Sequence, residues 1–370
     1  MTETQKNLIY LLSCAVNGIK PDSEKVRKMD LEQLYQLSKR HSLRAAVHTA
    51  LKNAGVMNRS FYQAYNKAVR KNIMLDLERS AIFAEFERCG IGYMPLKGAI
   101  LKELYPENGM REMSDNDVLY DKSKQAAVRE MMLKRGYTAE SVGETHHDVY
   151  MKPPVLNFEM HTSLFSGVQA EALERYYANT RRLLRKDKEN QYGYHFTNED
   201  FYVYMTAHEY KHYSSGGTGL RNLLDCYVFC REKGRALNWD YIAEQCRQLE
   251  IADFEKKRRK LANKLFSANQ PTVLKEAETE MLLYYFSAGA YGTFANVIRN
   301  RAKGQSRLSF WLHSIFIPRK VMAKSVPFTR KSPLLYPAGV IWRCGRVLLM
   351  RRDRLKTTVK VLRKHDKRNV

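Results

Sequence analysis

Apolar positions recur at helical spacing through the first ninety residues. Asp30 stands where an N-cap belongs, ahead of Leu31, Leu34 and Leu37 on one helical face. A longer helix is predicted from Arg59 to Arg88, with Ile73, Leu77 and Phe83 to Phe86 on its core side and Cys89-Gly90 closing it. After Gly90 the spacing changes. Ile91 to Leu96 reads as a short strand, Lys97-Gly98 opens a helical stretch through Leu104-Tyr105, and Val118-Leu119-Tyr120 closes a second strand. Lys122 to Arg135 is an amphipathic helix ended by Gly136, and strands are predicted at Tyr137–Ser141, His147–Met151 and Val155–His161. The last is the clearest, because Val155, Asn157, Glu159 and His161 alternate with Leu156, Phe158 and Met160. Helices then return: Thr197 is a good N-cap for Asn198 to Tyr213, Gly216-Gly217 breaks the chain, and Leu220 to Lys233 continues.

This pattern predicts an α+β chain, mostly helical, with a small mixed sheet of about five strands between helical N- and C-terminal parts. The segments are an N-terminal helical region (1–90), the sheet (91–167), a second helical region (168–298) and a basic C-terminal region (299–370).

Composition adds two constraints. Only 6 cysteines occur in 370 residues, none in a CxxC pair, and Cys226 and Cys230 have a helical packing spacing. A disulfide scaffold and a zinc ribbon are disfavoured, and a reducing compartment, the cytoplasm, fits. No stretch approaches the roughly 18 to 20 apolar residues of a membrane span. The run Leu8 to Val16, with Glu3 and Lys6 ahead of it, reads as an amphipathic helix and not a signal peptide. The second constraint is charge. The chain carries +24, and residues 299–370, with 20 Lys/Arg against Asp353 and Asp366, hold +18 of it. Basicity is therefore a local surface, suited to phosphate, nucleic acid or anionic lipid.

The chemistry centres on Ser114-Asp115-Asn116-Asp117-Val118-Leu119. Residues i and i+2 of a strand share a face, so Asp115 and Asp117 present two carboxylates side by side. Such a pair binds cations or lifts a pKa; taken alone it also describes two solvated acids on an edge strand. Its surroundings shift the balance. Glu159 stands as a single acid in the apolar Phe158-Glu159-Met160, and upstream a strand ends in Leu96-Lys97-Gly98, where glycine and a helix N-terminus favour a phosphate. Strand, glycine turn, helix, DxD and a later single acid is the order found in nucleotidyltransferases.

The run Leu96-Lys97-Gly98-Ala99, Leu101, Leu104-Tyr105-Pro106, Gly109, Arg111 and Asp115-x-Asp117-Val118-Leu119 closely resembles the uncharacterised bacterial nucleotidyltransferase family of the DNA polymerase beta-like superfamily. The helix Leu75 to Gly90, Phe158-Glu159-Met160-His161, His208-x-x-x-His212 and Arg221-x-x-x-Asp225 also look like that family, and the resemblance covers roughly residues 25 to 340. It implies a polymerase beta-like sheet and transfer of a nucleoside monophosphate from an NTP to an unidentified acceptor hydroxyl or phosphate, with pyrophosphate release. Mg²⁺, with Mn²⁺ as the alternative, would be held by Asp115, Asp117 and Glu159, which would also help activate the acceptor. Lys97, Gly98 and Ser114 would contact phosphate, and Arg111 would pair with the triphosphate. Two departures stand out: Lys-Gly replaces the superfamily's usual Gly-Ser, as in this branch, and the residue between the aspartates is the polar Asn116, which needs a partner if buried. A degenerate nucleotide-binding relative that works through its basic end, on RNA or a membrane surface, is the alternative.

Three histidine features carry their own readings. His208-Glu209-Tyr210-Lys211-His212 matches the HExxH zinc-hydrolase pattern, but Ser215 and Thr218 stand where its extended form needs Gly and His. In the resembled family the two histidines contact nucleotide phosphate or acceptor; the structural alternative is a helix pair bonded to neighbours such as Asp225. His161, on the face of Glu159, tunes that acid, contacts substrate or satisfies a core group. His146-His147-Asp148 reads as loop rather than ligand. In the tail, Arg351 to Lys356 and Arg363-Lys364 alternate with apolar Val347 to Leu349 and Val359 to Leu362, which suits a packed solvated helix, an RNA-binding surface or a membrane-surface helix.

Overall fold

The computed structural model describes residues 1–141, 146–166, 171–267, 273–350 and 352–366. The chain forms two compact units, Met1–Lys211 with Gly219–Phe286, and His212–Thr218 with Ser287–Val370.

The first unit is an α+β body around a five-stranded mixed sheet. Its strands are β1 (Tyr93–Pro95), β2 (Asn116–Tyr120), β3 (Thr138–Ser141), β4 (His147–Lys152) and β5 (Leu156–His161), in the spatial order β1-β2-β5-β4-β3. β2 and β5 are parallel and the other pairs antiparallel. β1 is shorter than the apolar run 91–96 because Leu96 already caps the helix Lys97–Leu101. β2 is an inner strand, which disposes of the edge-strand reading of its acids.

Strand register decides which side chains meet on the sheet. Asp117 lies opposite Glu159 across β2 and β5, and Leu119 opposite His161. His147 lies opposite His161 across β4 and β5. Alternation sends Val118, Tyr150, Phe158 and Met160 to the other face, where they are fully buried against Leu75, Ile82, Phe86, Val128 and Met132. Each such side chain contributes about 1.5–3 kcal/mol by leaving water. The helices Arg59–Arg88 and Gln125–Lys134 supply that cover.

The long helix buries a different stripe from the expected one. Its buried positions are Phe61, Ala64, Ala68, Asn72, Leu75, Ile82 and Phe86, whereas Ile73 and Leu77 are exposed. The stripe keeps heptad spacing only when polar Asn72 is counted in it, so apolar residues alone point to the wrong side. The caps stand where the sequence puts them: the Asp30 carboxylate accepts from Gln33 N–H, Thr197 Oγ1 accepts from Asp200 N–H, and Gly90 and Gly136 take positive φ after their helices.

The second unit is helical, with Phe294–Ala302, Arg307–Ile315, Arg319–Ser325, Tyr336–Met350 and Arg352–Asp366. Two small apolar clusters hold it, one around Ile298, Ala302, Phe310 and Leu362 and one around Met322, Val326 and Val340. The segment His212–Thr218 is tied in by Thr293 N–H to Gly216 O and by Asn300 Nδ2–H to Ser215 O. Among the described residues no helix is long and apolar enough to cross a membrane.

Candidate active site

The polar face of β2 and β5 carries the candidate chemistry. Asp115 sits just before β2 and Asp117 is its second residue. One donor atom each from Asp117, Glu159 and His161 lies within 4.8 Å of the other two. His161 Nε2 is 3.1 Å from Asp117 Oδ1 and 3.8 Å from Glu159 Oε2. His147 Nε2 is 3.6 Å from the same Glu159 oxygen.

Three carboxylates in so small a space repel one another, and burial withholds the water that would screen them. Glu159 is pushed up to about 7 by burial and by the charges of Asp117 and Asp115. Burial and the Asp117 charge push Asp115 up to about 6, against the pull of Arg221, Arg111 and Lys71. Burial would raise Asp117 as well, but the hydrogen bond and charge of His161 bring it below the ordinary value. The three acids titrate as a set, with one ionised member and two that hold protons more tightly than usual. A divalent ion relieves that repulsion, and the oxygen-rich donor set fits Mg²⁺, with the imidazole of His161 also suiting Mn²⁺.

The remaining expected residues surround this cluster in other ways. Lys97 is half-buried; loss of water around its ammonium lowers it to about 8, and the ammonium contacts His208 Nδ1 at 3.0 Å and Asn222 Oδ1 at 3.2 Å. His208 is thus bonded to a neighbour, as the structural alternative for this helix pair has it. Gly98 has a packing role: a Cβ there would stand 2.8 Å from Met113 Cε and 3.2 Å from Arg111 Nη1. Gly98 is the second residue of the five-residue helix Lys97–Leu101. Ser114 accepts through its carbonyl from Lys71 Nζ at 2.7 Å.

Arg111, expected on the triphosphate, has a different partner. Its guanidinium is buried and donates from Nε and Nη2 to the two oxygens of Asp225, at 2.9 and 3.0 Å, and Tyr105 Oη donates to the same carboxylate at 2.7 Å. A fork-on-carboxylate pair this dry holds the helix Leu220–Lys233 to the loop before β2.

Asn116 proves compatible with an intact site. It points away from the acids into the core, donates to Leu75 O at 2.9 Å and accepts from Arg79 Nη1 at 2.9 Å. The substitution between the aspartates therefore has its partners.

The HExxH reading fails on the same kind of observation. Glu209 is buried and accepts from Arg258 Nε and Tyr285 Oη, both at 2.6 Å, so it is no water-activating base. His212 is exposed and belongs to the second unit, and neither His208 nor His212 joins a metal-competent group among the described residues.

Several contributors escaped the sequence. Lys71 and Arg221 place cations near Asp115. Burial and the charges of Asp117 and Glu159 push the Tyr204 hydroxyl well up. His147, not expected as a ligand, starts β4 where a strand was predicted and lies against His161 with ring centroids 4.9 Å apart. Lys71 and Tyr204 belong to helices whose patterns show only packing, so nothing local marks them. His147 was findable through the β4–β5 hairpin, which puts it opposite His161.

An α+β body in which the second acid of the DxD faces Glu159 on the parallel neighbour is the arrangement that the resemblance implies for a nucleotidyltransferase. The model of the family described as uncharacterised nucleotidyltransferase matches residues 27–267, and the chain belongs to that family. The match ends before the 340 that the resemblance suggested. No curated protein and no solved structure matches the chain.

Proposed function

We propose that this protein is a divalent-metal-dependent nucleotidyltransferase that moves a nucleoside monophosphate from an NTP to an acceptor hydroxyl or phosphate and releases pyrophosphate. The observation that carries the reading is the register that sets Glu159 opposite Asp117, with Asp115 two residues upstream, on a face kept apart from the core. Asp115, Asp117 and Glu159 would hold Mg²⁺ or Mn²⁺, and bound ions of this kind neutralise charge on the triphosphate and on both oxygens of an in-line displacement. Glu159 would also help activate the attacking group by accepting its proton. The acceptor oxygen bonds to the α-phosphorus as the bond to the β-phosphate bridge breaks. Lys97, Lys71 and Arg221 supply cationic surroundings for the polyphosphate. Ser114 and His208 line its approach.

NTP labelled at the α-phosphate tests this. With Mg²⁺ or Mn²⁺, label is expected in NMP or an NMP adduct with one pyrophosphate per event, and Asp117→Asn abolishes it. Release of inorganic phosphate from the γ position, or label transfer indifferent to Asp117, contradicts the reading. A degenerate site is disfavoured by the satisfied Asn116 and by Asp117 standing in register with Glu159.

The second unit supports a separate reading, contact with an anionic bilayer surface. Ile341, Leu349 and Met350 of the helix Tyr336–Met350 are exposed by about three quarters (74%, 74% and 75%), beside Trp342, Arg343 and Arg346. Exposed apolar side chains among excess Arg and Lys favour a lipid interface over RNA, which asks for charge without that apolar surface. Co-sedimentation with phosphatidylserine vesicles, weakened by Ile341→Ser/Leu349→Ser as well as by salt, is expected; binding weakened by salt alone contradicts it.

A further inference from the structure

The three histidines beside the acids form a second donor set that nucleotidyl transfer does not require. One ring nitrogen each from His146, His147 and His161 lies within 4.8 Å of the other two. The rings are in mutual contact, with centroids 4.6, 4.9 and 5.6 Å apart. Their positions come from the fold. β4 and β5 pair His147 with His161, and His146 precedes His147 at the strand start.

Two of the rings are held from behind. His146 Nδ1 lies 2.8 Å from Ser166 Oγ and His161 Nε2 3.1 Å from Asp117 Oδ1, while His147 Nε2 stands 3.6 Å from Glu159, beyond a hydrogen bond. A carboxylate or hydroxyl on one ring nitrogen orients the imidazole and sets the tautomer that leaves the other nitrogen as a donor to metal. His161 displays that consequence. It is 93% buried, since only 7% of it is exposed, and its Nδ1 has no hydrogen-bond partner. An unmet acceptor in that position costs about 1–3 kcal/mol unless something occupies it.

We infer that His146, His147 and His161 bind a borderline transition-metal ion of the Zn²⁺ class, at a site adjoining but distinct from the carboxylate cluster. Imidazole nitrogens suit Zn²⁺, Co²⁺, Ni²⁺ and Cu²⁺, whereas Mg²⁺ takes oxygen. Lys211 also faces His146 and His147, and Glu159 stands near it as a counter-charge. Bond formation needs no co-reactant beyond the ion itself. The inference stands whether or not the acids bind a nucleotide.

The test uses the full chain, freed of metal and titrated with Zn²⁺ alone and with Co²⁺ alone. One Zn²⁺ per chain is expected to bind, with affinity unchanged by tenfold excess Mg²⁺. Co²⁺ should give the intense visible absorption of a four- or five-coordinate nitrogen-ligated ion. His146→Ala and His147→Gln should each weaken binding by about tenfold or more, and Ser166→Ala by less. Asp115→Asn should leave the ion bound. Absence of Zn²⁺ binding overturns the inference, as does binding displaced by Mg²⁺ or lost with Asp115 and indifferent to His146. The Co²⁺ spectrum of the unaltered chain decides even where a variant does not fold: weak absorption of a six-coordinate oxygen-ligated ion contradicts it. Failure of this site leaves α-phosphate transfer untouched, and failure of transfer leaves the Zn²⁺ titration readable.

Discussion

Two sets of charged groups, one fully buried and one half-buried, lie within the same compact unit and are built in opposite ways. In one, Arg111 meets Asp225 by a two-bond fork with Tyr105 as a third donor, and Arg258 meets Glu209 with Tyr285 and Thr206 completing the ring. Positive and negative charge balance in each pair. In the other, Asp115, Asp117 and Glu159 crowd together, and two of the three acids hold protons unusually tightly. Asp117 and Glu159 have histidines beside them, and Asp115 has only the more distant pull of Arg221, Arg111 and Lys71. No fork or ion pair answers the acids one for one, as it does in the first set. The first arrangement fastens helices together, whereas the second stores repulsion that a bound cation relieves. Charge surplus, more than burial or acidity, separates the candidate site from its scaffold.

Breaking a balanced pair should produce the largest loss of stability. Arg111→Ala leaves the Asp225 carboxylate buried and unpaired, and unfolding of this unit is expected about 3–5 kcal/mol easier. A chemical denaturation midpoint unchanged in that variant would mean that the fork is not structural. A smaller loss is expected at the residue between the aspartates. Asn116→Leu strands Arg79 Nη1 and Leu75 O without their partner and should cost about 1–3 kcal/mol. If Asn116→Leu instead stabilises the fold, the polar residue was retained for the site and not for the core.

The surplus cluster should respond with the opposite sign. The folded chain holds a proton on Asp115 up to about 6, above the ordinary value of 3.8, so the folded state binds more protons across that window. Stability contributed there falls as pH rises through it. In metal-free protein Asp115→Asn should therefore raise the melting temperature by roughly 2–4 °C at pH 8, with the gain vanishing toward pH 4. A loss at pH 8 would place Asp115 among the balanced pairs.

The sequence disclosed the two kinds of charge unequally. The DxD, the lone Glu159 and the strand carrying it are local signals, and alternation in Leu156–His161 already put Glu159 and His161 on one face. The balanced pairs were hidden because Arg111 and Asp225 are 114 residues apart and Glu209 and Arg258 are 49 apart. The Asp225 partner of Arg111 and the Arg258 partner of Glu209 therefore come into view only with the fold. The core stripe of the helix Arg59–Arg88 was misjudged for a related reason: Asn72 occupies a buried position, and apolar periodicity discounts a polar residue whose partner lies elsewhere. Packing distance, which sequence order does not carry, decides whether a charge is answered.

If the unbalanced acids form a metal–nucleotide site, nucleotide binding must depend on them and on the ion together. Calorimetric titration of each NTP into the full chain, with and without Mg²⁺, and into Asp115→Asn/Asp117→Asn reads that dependence. Binding that requires both the metal and the two aspartates is expected. Binding of the same strength without Mg²⁺, or in the double variant, would contradict it.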